Sequence, residues 1–243
     1  MTKNNKSKVF ALIIAGGSGQ RMGQDIPKQF LTVNERPVII YTLEAFQRHP
    51  SIDEIVVVCK EGWEHILEAY AKQFNITKLT SVVKGGENGQ DSIRNGLFEI
   101  EKCSKHDDIV LIHDSIRPMV SEEIISDCIT VTDEKGCAIA VIPCAEAMLE
   151  TEDGEMSSGS YPRDRLKRTQ TPQGFRVGEI CDLHRRALKA GITNSVASCT
   201  LKVEMGEPVF FSAGSEKNIK LTTVDDIDIF KALLQAKRSD WLK

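Results

Sequence analysis

The chain has 243 residues, and its 31 Lys and Arg against 35 Asp and Glu give a formal net charge of −4 at pH 7. This mild acidity argues against a protein that coats nucleic acid, but it is compatible with a local basic pocket for a small anion. No apolar run approaches the ~20 residues of a membrane-spanning helix, so we expect no membrane partner. The seven Cys are scattered, without CxxC or zinc-type spacing, which favours reduced thiols in the cytoplasm.

Short apolar runs alternate with segments of helical periodicity up to residue 142. The predicted strands are Val9–Ala15, Glu54–Cys59, Leu79–Val83, Ile109–His113 and Cys137–Ile142. The predicted helices are Pro37–His49, Trp63–Phe74, Asp91–Ile100 and Glu122–Val131. This alternation predicts an α/β fold with a parallel sheet and helices on both faces. Ligands of such sheets bind at the carboxyl ends of the strands, so the residues just after each strand are the informative ones.

The pattern changes after Pro143. Residues 144–169 are polar and irregular, which indicates a projecting loop or β-arm. A helix over 177–190, a strand near 208–212 and a helix over 225–236 follow. No internal repeat or linker separates a second unit, so we expect a single domain over residues 1–243.

A glycine-rich turn follows the first strand. Gly16, Gly17 and Gly19 allow a tight turn and a close approach of a ligand to the main chain, where successive N–H groups can hold an anion. Arg21 and Lys28 would add positive charge to a bound polyphosphate. The pattern favours a phosphate site over a simple turn with two surface cations.

Two common nucleotide motifs do not fit this turn. The dinucleotide fingerprint GxGxxG has Met22 at its third glycine, and no acidic residue ends a strand about 20 residues later. The Gly-Lys-Ser/Thr of a P-loop is absent from the chain. A redox enzyme that uses a dinucleotide is therefore disfavoured, and phosphates would bind here in another way.

A second glycine pair follows the third strand and leads into a helix. Gly85 and Gly86, with Asp91 and Ser92 beyond them, could present main-chain groups to a base edge or a ribose hydroxyl. The alternative is that Asp91 or Ser92 only caps the helix.

The fourth strand ends in the sequence HDSIRP. Asp114, at the carboxyl end of a central strand, is placed to hold Mg²⁺ against phosphates, and Arg117 could meet an anionic acceptor. The alternative is a structural Asp–Arg ion pair, while His113 would orient the loop. Lys220 is a candidate for a second anion contact. The basic run over 163–168 is either a solvated face or part of the site.

Six segments in order resemble the small CTP-dependent cytidylyltransferases of the 2-C-methyl-D-erythritol 4-phosphate and ribitol-5-phosphate type. They are AGGSGQRM, PKQF, GG…DSI, HDSIRP, QTPQGF and NIKLTT, spread over residues 9–236. The resemblance implies a Rossmann-like, mostly parallel sheet of the nucleotide-diphospho-sugar transferase kind, with 144–169 as an arm that forms a homodimer. It implies a reaction in which CTP and a polyol phosphate give a CDP-polyol and pyrophosphate with Mg²⁺.

The resemblance also implies roles for particular residues. The catalytic cations would be Arg21, Lys28 and Lys220. The nucleotide would contact Ala15, Gly16, Gly17, Gly19, Gly85, Gly86, Asp91 and Ser92. Asp114 would hold the metal. The acceptor would meet Arg117, Thr171 and Arg163, the last of these reaching across the dimer.

The acceptor is the open question, because HDSIRP resembles the ribitol-phosphate branch and the other branch usually has HDAARP. Ribitol 5-phosphate, for cell-surface polymer synthesis, is the favoured acceptor. The alternatives are methylerythritol phosphate, a precursor of isoprenoids, and another phosphorylated metabolite. Three departures from the family pattern concern this choice. Gly89 stands where the family usually has Arg. Glu146-Ala147 stands in place of an Asp-Thr pair, and Val196-Ala197 stands in place of a Thr-Asp pair. A nucleotide-binding protein without turnover is the competing class.

Overall fold

A computed structural model describes residues 7–17 and 26–239, with side chains up to residue 236. The strands of these residues are β1 Val9–Ala15, β2 Thr32–Val33, β3 Arg36–Pro37, β4 Glu54–Cys59, β5 Leu79–Lys84, β6 Ile109–Asp114, β7 Cys137–Pro143, β8 Met148–Glu150, β9 Gly159–Tyr161, β10 Lys167–Arg176 and β11 Phe211–Ala213. The helices are α1 Val38–Arg48, α2 Glu64–Gln73, α3 Gly89–Glu101, α4 Glu122–Lys135, α5 Val177–Lys189, α6 Ser198–Glu204 and α7 Val224–Ser239. Single 3₁₀ turns lie at Lys28–Phe30 and Arg163–Arg165.

The main sheet has the strand order β11-β7-β10-β6-β1-β4-β5. Its neighbours are parallel except at β10, which runs antiparallel to both β6 and β7. The prediction of a mostly parallel sheet is therefore confirmed. The strand β10 was not predicted, because KRTQTPQGFR contains no apolar run, although it lies inside the sheet between β7 and β6.

Helices cover both faces of the sheet, as predicted, and the alternation of side chains along β1 shows how. Ala11 and Ile13 pack against α1, α2 and α4 on one face. Phe10 and Leu12 pack against α3, α5 and α6 on the other. Because successive side chains of a strand point to opposite faces, a strand that is covered twice is apolar throughout.

The second half differs more from the prediction. Residues 144–169 contain a β-hairpin of β8 and β9, so the extension is an arm rather than a loop, and β10 begins within it at Lys167. The short helix α6 and the small β2–β3 pair were not predicted. The last strand begins at Phe211, three residues later than expected. No helix in the described ranges is both long and apolar enough to cross a bilayer.

Candidate active site

The turn after β1 is held by a glutamine that the sequence analysis did not single out. Gln29 is buried and donates from Nε2 to the carbonyls of Ala15, at 2.7 Å, and Gly17, at 3.1 Å. Its only sequence signal was its place beside Lys28 in the PKQF segment. Gly19 and Arg21 lie outside the described residues, so their predicted roles stay predictions.

The turn between β5 and α3 closes on itself through side chains. The Gly86 N–H donates to the Ser92 hydroxyl at 3.0 Å, and that hydroxyl donates to the Asn88 carbonyl at 2.9 Å. A Cβ on Gly86 would come within 2.3 Å of the Asp91 Cβ, so this position requires glycine. The residue that caps α3 is Asn88, whose Oδ1 accepts the Asp91 N–H at 2.9 Å, rather than Asp91 or Ser92.

The two glycine turns meet above the end of the sheet and border a cavity of about 440 Å³, the nucleotide cavity. A Cβ on Gly16 would lie 3.2 Å from the Ser92 hydroxyl, which shows how closely the turns approach. The predicted site residues that line the cavity are Gly16, Gly17, Lys28, Gly86, Ser92, Asp114 and Lys220. Ala15, Gly85 and Asp91 do not line this cavity, and Asp91 forms an ion pair with Arg94 at 2.7 Å.

Asp114 receives two cations on a single carboxylate oxygen. Arg117 Nε lies 3.0 Å and Lys220 Nζ 3.2 Å from Oδ2. Burial alone would raise the pKa of Asp114, but Lys220 and Arg117 outweigh it and hold that pKa below its usual value. Arg117 is fixed in turn because its Nη1 donates to the Asn218 carbonyl at 2.7 Å. The Asp–Arg ion pair, which the sequence left open as the alternative, therefore exists, and Lys220 joins it.

His113 is fully buried behind Asp114 and joins it to β10. Its Nε2 lies 3.2 Å from the Arg117 carbonyl, which can only accept, so Nε2 carries the proton of the neutral ring. Burial lowers the pKa of His113 to about 4, so the ring is neutral at pH 7. Nδ1 then accepts from the Thr171 hydroxyl at 3.0 Å, and the Thr171 oxygen accepts the Asp114 N–H at 3.1 Å. The structure thus gives the hydroxyl proton of Thr171 a partner within the protein.

A second cavity, the outer cavity, adjoins the first and has a volume of about 250 Å³. Its polar lining consists of Arg117, Arg168, Thr169, Gln170, Glu216, Asn218, Lys220, Thr222 and Asp226. Lys220 lines both cavities. Arg163, predicted to reach an acceptor across a dimer, lies on the arm, where its Nη1 donates to the Ala145 carbonyl at 3.0 Å, and it lines neither cavity.

Sequence comparison places the chain among known proteins over nearly its whole length. The family model described as IspD, 2-C-methyl-D-erythritol 4-phosphate cytidylyltransferase, matches residues 9–236. A ribitol-5-phosphate cytidylyltransferase of Lacticaseibacillus paracasei is 44% identical over 94% of this chain and 99% of its own. A ribitol-5-phosphate cytidylyltransferase of Vibrio parahaemolyticus is 39% identical over 94% of this chain and 97% of its own. A 2-C-methyl-D-erythritol 4-phosphate cytidylyltransferase of Syntrophus aciditrophicus is 37% identical over 95% and 97%.

Solved structures agree with the sequence comparison. The 4-diphosphocytidyl-2C-methyl-D-erythritol synthase of Anaerococcus prevotii superposes with a TM-score of 0.80 at 27% identity, over 94% of this chain and 96% of its own. A 2-C-methyl-D-erythritol 4-phosphate cytidylyltransferase of Thermus thermophilus gives 0.74 at 25% identity, over 94% and 99%. With the two adjoining cavities at the carboxyl end of the sheet, these matches show that the chain belongs to the IspD family of cytidylyltransferases.

Proposed function

We propose that this enzyme transfers CMP from CTP to D-ribitol 5-phosphate, giving CDP-ribitol and pyrophosphate. The reaction would take place in the cytoplasm, and CDP-ribitol would serve the synthesis of a cell-surface polymer. The observation that supports this most directly is the position of Lys220. It lines both the nucleotide cavity and the outer cavity, and it lies 3.2 Å from Asp114. A cation at the boundary between the two cavities could stabilise the charge that develops as the phosphate of the acceptor attacks that of the nucleotide.

The reaction requires little proton chemistry from the protein. An oxygen of the acceptor phosphate attacks the α-phosphorus of CTP, the bond to the β-phosphate oxygen breaks, and pyrophosphate leaves. Catalysis then consists of positioning the reactants and stabilising the charge that develops. We assign the charge stabilisation to Arg21, Lys28 and Lys220, and the holding of the acceptor phosphate to Arg117.

The residues of the site fit a magnesium ion whose coordination shell is completed by the substrate phosphates. Both cations of the site approach Oδ2 of Asp114, so Oδ1 remains available within the described part of the chain. No group of three or more His, Cys, Asp or Glu in those residues could hold a metal by itself. Mg²⁺ is commonly held by one or two carboxylates with substrate phosphates and water. Bound there, it would neutralise phosphate charge.

Sequence identity favours ribitol 5-phosphate as the acceptor over methylerythritol phosphate. Among the relatives compared, the ribitol-5-phosphate cytidylyltransferases are 37 to 44% identical to this chain, and the methylerythritol phosphate enzymes 34 to 37%. The pair Glu146-Ala147, which replaces the usual Asp-Thr, points the same way. Methylerythritol phosphate remains the second candidate, because the matching family model is named for that reaction.

We also propose that the arm forms a homodimer. β8 and β9 pair with each other in a separate two-stranded sheet, outside the main sheet. The arm exposes large apolar side chains, with Leu149 67% and Met156 70% accessible. Large apolar side chains that are exposed together can form a contact surface, and the arm carries several of them.

The experiment that tests the function is pyrophosphate release from CTP and Mg²⁺ with a panel of acceptors. The panel contains ribitol 5-phosphate, methylerythritol 4-phosphate, glycerol 3-phosphate and several sugar phosphates. We expect the highest kcat/KM with ribitol 5-phosphate. A higher kcat/KM with another acceptor would overturn the proposal that ribitol 5-phosphate is the substrate. Binding of CTP without turnover on any acceptor would favour a non-catalytic role.

A further inference from the structure

The outer cavity has two chemically different ends. Arg117 and Lys220 form the end next to the nucleotide cavity, since both contact Asp114. Arg168 and Glu216 line the outer cavity only. We propose that Arg168, supported by Glu216, recognises the hydroxyl groups of the acceptor and thereby selects a polyol chain over a shorter or apolar one. This inference rests on the proposed function.

Arg168 is placed by the sheet and only loosely paired. It belongs to β10, where its backbone aligns with Ile142 of β7. Its Nη1 lies 3.5 Å from Glu216 Oε2 and 3.7 Å from Glu146 Oε1. These distances are at or beyond the limit of a direct hydrogen bond, and all three side chains are about half exposed or more. Exposed pairs of this kind add little stability. The guanidinium has five N–H donors, so most of them remain available to a ligand.

The contact between Arg168 and Glu146 also accounts for one departure from the family pattern. Glu146 occupies the place of the usual Asp in an Asp-Thr pair, and its side chain is one methylene longer. That carboxylate approaches Arg168. Glu216 approaches the same guanidinium from the segment that leads to Lys220. Two carboxylates from separate loops thus lie near the guanidinium of Arg168, which itself lines the outer cavity.

A buried amide, that of Asn218, belongs to the wall of the same cavity. Asn218 is fully buried and lines it, and its Nδ2 donates to the Thr171 carbonyl at 2.8 Å and to Gln170 Oε1 at 3.3 Å. Its Oδ1 has no hydrogen-bond partner among the described residues. A buried acceptor without a partner costs free energy, and a ligand hydroxyl would satisfy it.

These groups define the chemistry of the ligand. A phosphate suits Arg117 and Lys220, while a hydroxyl can donate to Asn218 Oδ1 and accept from Arg168. A chain with a hydroxyl on each carbon uses both groups. A site built to hydrogen-bond hydroxyls rejects a ligand that leaves its polar groups unpaired.

The test compares two acceptors that share a phosphate but differ in chain length, ribitol 5-phosphate and glycerol 3-phosphate. We expect Arg168→Gln to lower kcat/KM for ribitol 5-phosphate by about 10- to 100-fold, the loss of a hydrogen bond to a charged group. The value for glycerol 3-phosphate, or its inhibition constant if it is not turned over, should change less than about twofold, as should the KM for CTP. Arg165→Gln, an exposed arginine of the neighbouring 3₁₀ turn, is the matched control.

The Glu216→Gln variant should show the same selective loss in weaker form, because it removes one of the carboxylates that orient Arg168. An equal loss of kcat/KM with both acceptors would overturn the inference, because it would show that Arg168 contacts the phosphate or serves only the stability of the fold. Unchanged values with both would reduce Arg168 to a surface ion pair and also overturn it. Wild-type enzyme that transfers CMP to no polyol phosphate would instead overturn the proposed function, and the inference with it, before any variant is measured.

Discussion

The Thr171 hydroxyl on β10 lies 3.0 Å from Nδ1 of His113 on β6, so two antiparallel strands are joined by side chains just below Asp114. Since Nε2 of the neutral ring donates to a carbonyl, Nδ1 can only accept. The hydroxyl proton of Thr171 is therefore directed to the ring, and its oxygen accepts the Asp114 N–H. This geometry makes Thr171 a positioning residue for Asp114, whereas the family resemblance implies a contact with the acceptor.

The first prediction separates these two roles. Thr171→Val keeps the shape but leaves the Asp114 N–H without its partner, so we expect kcat to fall about 10- to 100-fold. The Mg²⁺ concentration for half-maximal rate should rise, and the KM for the acceptor should stay within about twofold. Thr171→Ser should retain the wild-type values. A raised acceptor KM with unchanged kcat in the Val variant would show instead that the hydroxyl binds the acceptor.

Lys220 is the subject of the second prediction. Lys220→Gln removes the cation that both cavities share, so we expect kcat to fall by about 10²- to 10³-fold, as when a charge-stabilising donor is lost. CTP binding, followed by calorimetry, should persist because the glycine turns remain. Lys231→Gln, a half-exposed lysine of α7 paired with Asp228, is the control and should behave as wild type. A Lys220→Gln enzyme with normal kcat would exclude the proposed bridging role.

The third prediction concerns stability and pH. His184 on α5 is 1% exposed, and neither of its ring nitrogens has a hydrogen-bond partner among the described residues. Burial, with Arg94 nearby, lowers the pKa of His184 to about 4. Below the pKa of an unfolded histidine, near 6.5, the unfolded state binds a proton that the folded state does not yet bind. The free energy of unfolding is therefore highest above about pH 6.5, and it falls as the pH is lowered toward the pKa in the folded state.

The measurement is urea unfolding at pH 7.5 and 5.5. His184→Phe, which keeps a planar ring, should lose about 1 kcal/mol less unfolding free energy between these pH values than wild type does. His113, whose pKa is also about 4, remains in the variant, so part of the pH dependence persists. Equal losses in the two proteins would show that His184 does not titrate as its burial implies.

The sequence was most informative where local pattern and structure coincide. The apolar runs of β1, β4, β6 and β7 predicted buried strands, because a strand covered on both faces is apolar throughout. The residues after β1 and β6 were predicted to form a site because carboxyl ends of parallel strands meet at one edge. Lys28 and Asp114 do line one cavity.

Features that depend on distant partners were not predictable in this way. β10 is polar, and only its place between β6 and β7 makes it a strand. Gln29 and Asn218 act through main-chain hydrogen bonds to residues far along the chain or on another element, and no local pattern reveals such bonds. The outer cavity combines side chains from β10 and from the segment before α7, so its existence depends on the tertiary fold.

The fourth prediction tests the arm. Leu149→Asp places a charge on a 67% exposed apolar position of β8, so sedimentation at micromolar concentration should show a dimer for the wild type and a monomer for the variant. Ile66→Asp changes a 40% exposed apolar residue of α2 and should leave the dimer intact. A monomeric wild type would refute the proposed dimer, and an unaffected Leu149→Asp dimer would place the interface elsewhere.

The fifth prediction asks whether Arg163 serves its own subunit or its partner. Arg163→Ala and Lys220→Gln should each be nearly inactive as homodimers. If Arg163 acts across the dimer, a mixed dimer contains one complete site, because the intact Lys220 of one chain meets the intact arm of the other. Equal mixing after unfolding and refolding should then restore roughly a quarter of the wild-type turnover, since half of the dimers are mixed and each has one site of two. Arg163 lines neither cavity of its own chain, which favours this outcome. Activity that stays at the level of the separate variants would assign Arg163 to its own subunit.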